Sequence, residues 1–122
     1  MGLDMYAFMR MEKLPAQVDF NEMPADCQLH YWRKHPNLHG WMEDLYREKG
    51  GSADSFNCVA VQLTAEDLHA LEDAVRTGTL SETSGFFFGE SDGSERDDDL
   101  DFIAKARRAL TIGWYVFYTS WW

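Results

Sequence analysis

The stretch Ile112-Gly113-Trp114-Tyr115-Val116-Phe117-Tyr118-Thr119 is the strongest strand signal in the chain and sets the reading of what precedes it. Branched and aromatic side chains fill it and a glycine marks its entrance, a composition suited to a pleated, largely buried surface. Directly upstream, Ser94-Glu95-Arg96-Asp97 reads as a capping box that opens a helix. Leu100, Ile103, Ala106 and Leu110 mark the inner face of that helix, and Lys105, Arg107 and Arg108 fall toward its cation-preferring end. A helix feeding an apolar strand is the first argument for an α+β fold. The chain then runs on to Ser120-Trp121-Trp122. Two tryptophans left in water at a fraying end would be costly, so this end is expected to dock.

Two further helices lie upstream. Leu38, Trp41, Met42, Leu45 and Tyr46 recur at helical spacing behind Asn37 as N-cap, and Gly50-Gly51 stops them. Thr64-Ala65-Glu66-Asp67 is a second capping box, with Leu68, Leu71 and Val75 as the inner stripe and Gly78 as the stop. Residues 3–11 alternate as a strand, Leu3, Met5, Ala7 and Met9 on one face against Tyr6 and Phe8 on the other. Residues 56–63 read as a central strand between the two helices, and Phe86-Phe87-Phe88 as a short fourth strand or a ring-packing loop. Residues 12–28, with Pro15 and Pro24, read as one long irregular connection. The expectation is a single domain over 1–122, a small, mostly antiparallel sheet of about four strands packed with three helices.

With 122 residues the chain can bury roughly two-thirds of its unfolded surface, enough for a core without staples. Its net charge is −10, yet residues 90–101 hold seven acidic side chains against one arginine and so carry −6 of it. A pI near 4.6 argues against a nucleic-acid footprint. No apolar run is long enough to span a membrane, and Met1-Gly2-Leu3-Asp4-Met5-Tyr6 is neither a secretory signal nor a myristoylation site. Cys27 and Cys58 form no CxxC pair. A reducing, cytoplasmic setting is the expectation.

The densest chemistry lies in residues 29–41, which hold three of the four histidines together with Tyr31, Trp32, Arg33, Lys34 and Trp41. Rings suit stacking on a base or sugar, the cations suit phosphate or carboxylate, and the histidines suit hydrogen bonding. The alternative is a strand end feeding a helix, with Trp32 and Trp41 in the core. Cys27, His30, His35 and His39 are side chains that zinc accepts, but Pro36 keeps His35 and His39 from forming a helical i, i+4 pair, and no metal or cofactor is expected. No nucleophile elbow, Walker loop or dinucleotide fingerprint is present, so no catalytic residue is assigned. Paired histidines could still run metal-independent phosphoester chemistry. The acidic run reads either as an epitope for a basic partner, through Asp97, Asp98 and Asp99, or as a helix start that favours anions.

Residues 30–42, Phe56-Asn57-Cys58, Gly85-Phe86-Phe87-Phe88-Gly89-Glu90-Ser91 and the closing Ser120-Trp121-Trp122 resemble a family of small phage and prophage proteins. Members often carry the label phosphoglycerate kinase. That label does not fit, because such a kinase closes two large lobes on a nucleotide and 122 residues without a phosphate-cradling loop cannot supply them. The resemblance implies a phage accessory protein that blunts host defence, and it brings no catalytic residues with it. The ligand residues expected are His30, Tyr31, Trp32, Arg33, Lys34, His35, Asn37, His39, Trp41, Asn57, Phe87, Ser120 and Trp121, holding a small nucleotide-like signal. Hydrolysis of such a signal, or inhibition of a host effector through the acidic helix start, are the alternatives. The partners considered are therefore a small molecule, a host protein or a second copy of the chain, with nucleic acid and membrane set aside.

Overall fold

Alternation along the first strand sets the sheet. Leu3, Met5 and Ala7 are fully buried, while Tyr6 and Phe8 stand half-buried on the opposite face. A computed structural model describes residues 2–18, 20, 27–80, 83, 91 and 94–122. Within them run β1 (Asp4–Arg10), β2 (Cys27–Arg33), α1 (Pro36–Glu48), β3 (Ala60–Leu63), α2 (Ala65–Thr77), α3 (Arg96–Thr111) and β4 (Tyr115–Trp121). The sheet order is β2-β1-β4-β3 with every pairing antiparallel, so three helices accompany a four-stranded antiparallel sheet in an α+β arrangement.

All three helices contribute to one core that contains the inner sheet face, where Met5, Trp32, Val61, Val116 and Tyr118 meet Leu38, Met42, Leu68, Leu71, Phe102 and Ile103. The outer face is covered over part of its area. Leu14 and Phe20 pack with Ala60 and Phe117, Phe20 meeting the Phe117 ring edge-on at 5.7 Å, while Val18 pairs with Val61 along the outer edge of β3. Covered on both sides, β4 buries five consecutive residues, Val116 to Ser120. The irregular connection is thus partly a lid on the sheet.

Several boundaries differ from the sequence reading. The fourth strand is β2, lying within what read as connection and ligand segment; residues 86–88 lie outside the described residues. β3 spans only Ala60–Leu63 and is an edge strand, because β4 and not β3 pairs with β1. α1 begins at Pro36 with His35 as N-cap, since proline is favoured in the first helical position and Asn37 already has helical geometry. Thr64 and Asp67 form the expected reciprocal box and Gly78 ends α2 in the left-handed region, at φ 67°. α3 begins at Arg96 with Glu95, not Ser94, as N-cap, and Glu95 makes no side-chain cap bond. Its buried stripe is Asp99, Phe102, Ile103, Ala106 and Ala109, rotated from the expected one so that a carboxylate faces inward.

The C-terminus docks through its last residue. Asn57 donates to the Trp122 carbonyl at 2.9 Å and accepts from the Trp122 amide at 3.0 Å, and the Trp122 indole donates to the Phe56 carbonyl at 2.8 Å. Trp121, in contrast, is 67% exposed.

Lys49 ties three elements together just past α1. Its ammonium donates to Asp67 at 2.5 Å, to the Gln62 carbonyl at 2.8 Å and to Gln17 at 2.7 Å. Lys49→Met keeps the stem and removes the charge. Chemical denaturation is expected to show a loss of about 2 kcal/mol, the range of a partly buried charged hydrogen-bond group. Asp67 still holds the Thr64 amide at 2.8 Å in that variant, so α2 itself should persist.

Candidate functional site

Pro36 restricts the residue before it, and His35 accordingly sits outside helical geometry at φ −110°, ψ 73°. That turn sends its ring inward, where it is 4% exposed. From the facing helix, Asp99 accepts from His35 Nε2 at 2.8 Å and from the Trp32 indole Nε1 at 3.1 Å, one donor for each carboxylate oxygen. His35 Nδ1 lies 2.6 Å from Ser91 Oγ, and that oxygen also accepts the Asn37 amide at 3.1 Å. A carboxylate only accepts, so Nε2 carries a proton; in the neutral ring Nδ1 then accepts from the Ser91 hydroxyl. The result is a directed chain from Asn37 N–H through Ser91 and His35 to Asp99.

This chain opens into a cleft of about 160 Å³ between the N-terminal ends of α1 and α3 and the C-terminal end of α2. Ala74, Val75 and Leu80 form its apolar wall, and Glu95 and Arg96 add opposite charges. The first turn of α3 brings Asp97, Asp98 and Asp99 close in sequence but not onto one surface. Asp97 is exposed, Asp98 accepts from His30 Nε2 at 3.0 Å, and Asp99 is only 2% exposed.

A second constellation lies on the outer sheet face. Register places Asp4 between Arg33 of β2 and Trp121 of β4, and sets Tyr6 opposite Tyr31. The Tyr6 and Tyr31 rings are 5.3 Å apart, and Tyr31 donates to Asp4 at 2.6 Å. That bond, followed by burial, holds the Tyr31 phenol above its ordinary range, while burial followed by the Asp4 charge raises Tyr6. Two hollows border Trp121. One, of about 430 Å³, is lined by Gly2, Asp4, Trp121 and Trp122; the other, of about 210 Å³, includes Tyr6, Phe8, Cys58 and Trp121. Arg33 and Lys34 lie over Gly2, where a methyl group would meet Arg33 Nη2 at 3.1 Å and Lys34 Cε at 3.2 Å.

The thirteen residues expected to share a ligand therefore divide among several places. Tyr31, Arg33, Lys34 and Trp121 gather on or beside the outer face, and His35 and Asn37 line the cleft. Trp32 packs in the core against Phe102 at 4.7 Å, and Trp41 is half-buried against the same core. His39 is 1% exposed, its Nδ1 2.6 Å from the Tyr118 hydroxyl. His30 is held between Asp98 and the Lys105 ammonium, which reaches Nδ1 at 3.3 Å. Asn57 clamps Trp122, Ser120 is buried, and Phe87 lies outside the described residues. Among the site residues that the sequence does not single out are Ser91, Glu95 and Arg96 at the cleft and Gly2, Asp4 and Tyr6 on the outer face.

Among the described residues no group of three His, Cys, Asp or Glu side chains is placed to hold a metal ion, and no helix is long and apolar enough to cross a membrane. Cys27 and Cys58 are both free and exposed. No protein-family model matches the chain, and no curated protein or solved structure matches it either.

Proposed function

We propose that this chain is a phage-type accessory protein that binds a small nucleotide-like ligand on the outer face of its sheet and sequesters it. The observation that carries this reading is the setting of Trp121: 67% exposed, it borders a hollow of about 430 Å³ whose Gly2 floor lies under Arg33 and Lys34. An indole in water on an otherwise packed strand leaves apolar area unburied, and a stacked base recovers it. The two cations supply partners for phosphate oxygens, locally offsetting the acidic net charge. Tyr6 and Tyr31 extend the ring surface, with Tyr31 fixed by Asp4.

Titration calorimetry against a panel of cyclic dinucleotides and nicotinamide-derived nucleotides tests the reading. At least one should bind and quench tryptophan fluorescence. Trp121→Ala should weaken that binding by about 5- to 150-fold, as expected for loss of about 1–3 kcal/mol of base stacking. Its unfolding midpoint should stay near that of the parent chain, because the side chain is mostly in water already. A panel with no binder, or equal affinity in the variant, would rule the surface out.

A further inference from the structure

We infer that Ser91 is a nucleophile, and that the Ser91, His35 and Asp99 chain equips the cleft to transfer a short acyl group from an ester to water. The inference stands apart from the ligand surface at Trp121, since the cleft lies among the helices and Trp121 on the outer sheet face. It rests on three linked observations: Ser91 Oγ is 2.6 Å from His35 Nδ1, His35 Nε2 is 2.8 Å from Asp99, and Ser91 is half-buried on the wall of an open cleft. The two ring nitrogens have exchanged the roles they play in serine proteases, but the order of nucleophile, base and orienting carboxylate is the same.

A simpler task for Ser91 is to cap α1 through the Asn37 amide. A cap needs one acceptor oxygen, and neither an imidazole nor a carboxylate behind it. Burying a carboxylate costs several kcal/mol unless it is paired and hydrogen-bonded, and here both oxygens of Asp99 are used to fix donors, one of them the base. Trp32 and Asp99 together hold the ring in the tautomer whose Nδ1 can take a proton from Ser91. The contact with Asn37 also places Oγ at the N-terminal end of the 13-residue helix α1, where developing negative charge is stabilised.

The chemistry balances with ester and water alone. Ser91 Oγ bonds to the acyl carbon as its proton passes to His35 Nδ1. The tetrahedral intermediate collapses by breaking the bond to the alcohol oxygen, which leaves with the proton from Nδ1. Water then attacks the acyl-serine, gives one proton to Nδ1 and releases the acid, and Nδ1 returns the proton to Ser91 Oγ. His35 Nε2 keeps its bond to Asp99 throughout. Asp99 is a positioning residue, while Ser91 and His35 touch the reacting atoms. A volume near 160 Å³, an apolar wall of Val75 and Leu80, and the opposed charges of Arg96 and Glu95 suit a short, uncharged acyl group.

Two probes test this on the intact chain. A fluorophosphonate should add once, at Ser91, by intact mass and peptide mapping. p-Nitrophenyl acetate should give a burst of about one nitrophenolate per chain and an acetyl group on Ser91. Ser91→Ala should abolish both. His35→Gln should slow fluorophosphonate labelling at least 100-fold, within the usual contribution of a general base. Circular dichroism checks that each variant folds; should Ser91→Ala fail to fold, the mapped position of the wild-type adduct decides instead. Failure of the wild type to label at Ser91, labelling no faster than in the urea-unfolded chain, or an undiminished rate in folded His35→Gln would each overturn the proposal.

Discussion

Asp99→Ala is expected to lower the unfolding free energy by about 2–6 kcal/mol, the cost of leaving two buried donors without an acceptor at about 1–3 kcal/mol each. The size follows from what remains behind. Trp32 Nε1 and His35 Nε2 both lose their acceptor in an interior where Asp99 is 2% exposed and His35 4%. Each orphaned donor forfeits its hydrogen bond without regaining water. Against the 5–15 kcal/mol typical of a small domain, this single change removes a large part of the stability. Asp99→Asn should cost less, since its amide oxygen can still serve Trp32. Its NH₂ would then face His35 Nε2, and relief requires the other tautomer, which turns an N–H toward Ser91. Asp97→Ala, on the same turn but exposed, should stay within about 1 kcal/mol, the range of a helix-start charge. Urea denaturation followed by circular dichroism separates the three variants; equal midpoints for Asp97→Ala and Asp99→Ala would show that the inward carboxylate is not structural.

The elements that could be read from the sequence are those whose own residues contain the signal. β1 alternates, the Thr64 box closes on itself within four residues, and β4 is apolar enough to lie between two covered faces. β2 was obscured because its period is broken. A register shift opposite Ala7 and Phe8 interrupts the pairing, and Cys27, Gln28 and His30 lie outside the β-branched and aromatic set that marks strands. Being an edge strand, it also buries only His30 and Trp32, so no continuous apolar run marks it. The stripe of α3 was displaced for a different reason. An aspartate at a helix start reads as an anion favoured by the dipole, and only the indole and imidazole arriving from β2 and the following turn make an inward carboxylate favourable.

The broken period of β2 also conceals how the candidate site divides. Residues 30–33 looked like one cluster of rings and charges, but pleating sends His30 and Trp32 inward and Tyr31 and Arg33 outward. Once β2 is recognised, period two alone separates the core from the outer surface. Ser91 had no such signal. It is 56 residues from His35 in sequence, and nothing in its neighbourhood distinguishes it from any other loop serine. Pro36 was the useful clue, since it excluded helical geometry at His35 and so freed that ring to turn toward α3.

His39 leads to the last prediction, a loss of stability by roughly 3 kcal/mol as pH falls from 6.5 to 4. The ring is packed among Phe56 at 4.9 Å, Tyr118 at 6.0 Å and Trp122 at 6.4 Å. Burial lowers its pKa from 6.5 to about 4, with a bond to the Phe56 backbone opposing the shift only in part. Tyr118, fully buried, is held well above its ordinary value by that burial, so it remains a neutral donor to His39 Nδ1 throughout this window. The folded chain therefore resists a proton that the unfolded chain accepts below pH 6.5. Stability from this group is complete above that value and falls by about 1.4 kcal/mol per pH unit until the folded ring titrates near 4. Carboxylates contribute to acid unfolding in the same range, so the decisive quantity is a difference. His39→Gln retains a donor and an acceptor but cannot titrate; its stability should start lower and decline less steeply, by close to one proton, between pH 6.5 and 4. Proton NMR of the ring should show His39 still neutral at pH 5. A ring that titrates near 6.5 in the folded protein, or parallel stability profiles for the two chains, would mean that the core tolerates an imidazolium packed against Phe56, Tyr118 and Trp122 at a position only 1% exposed.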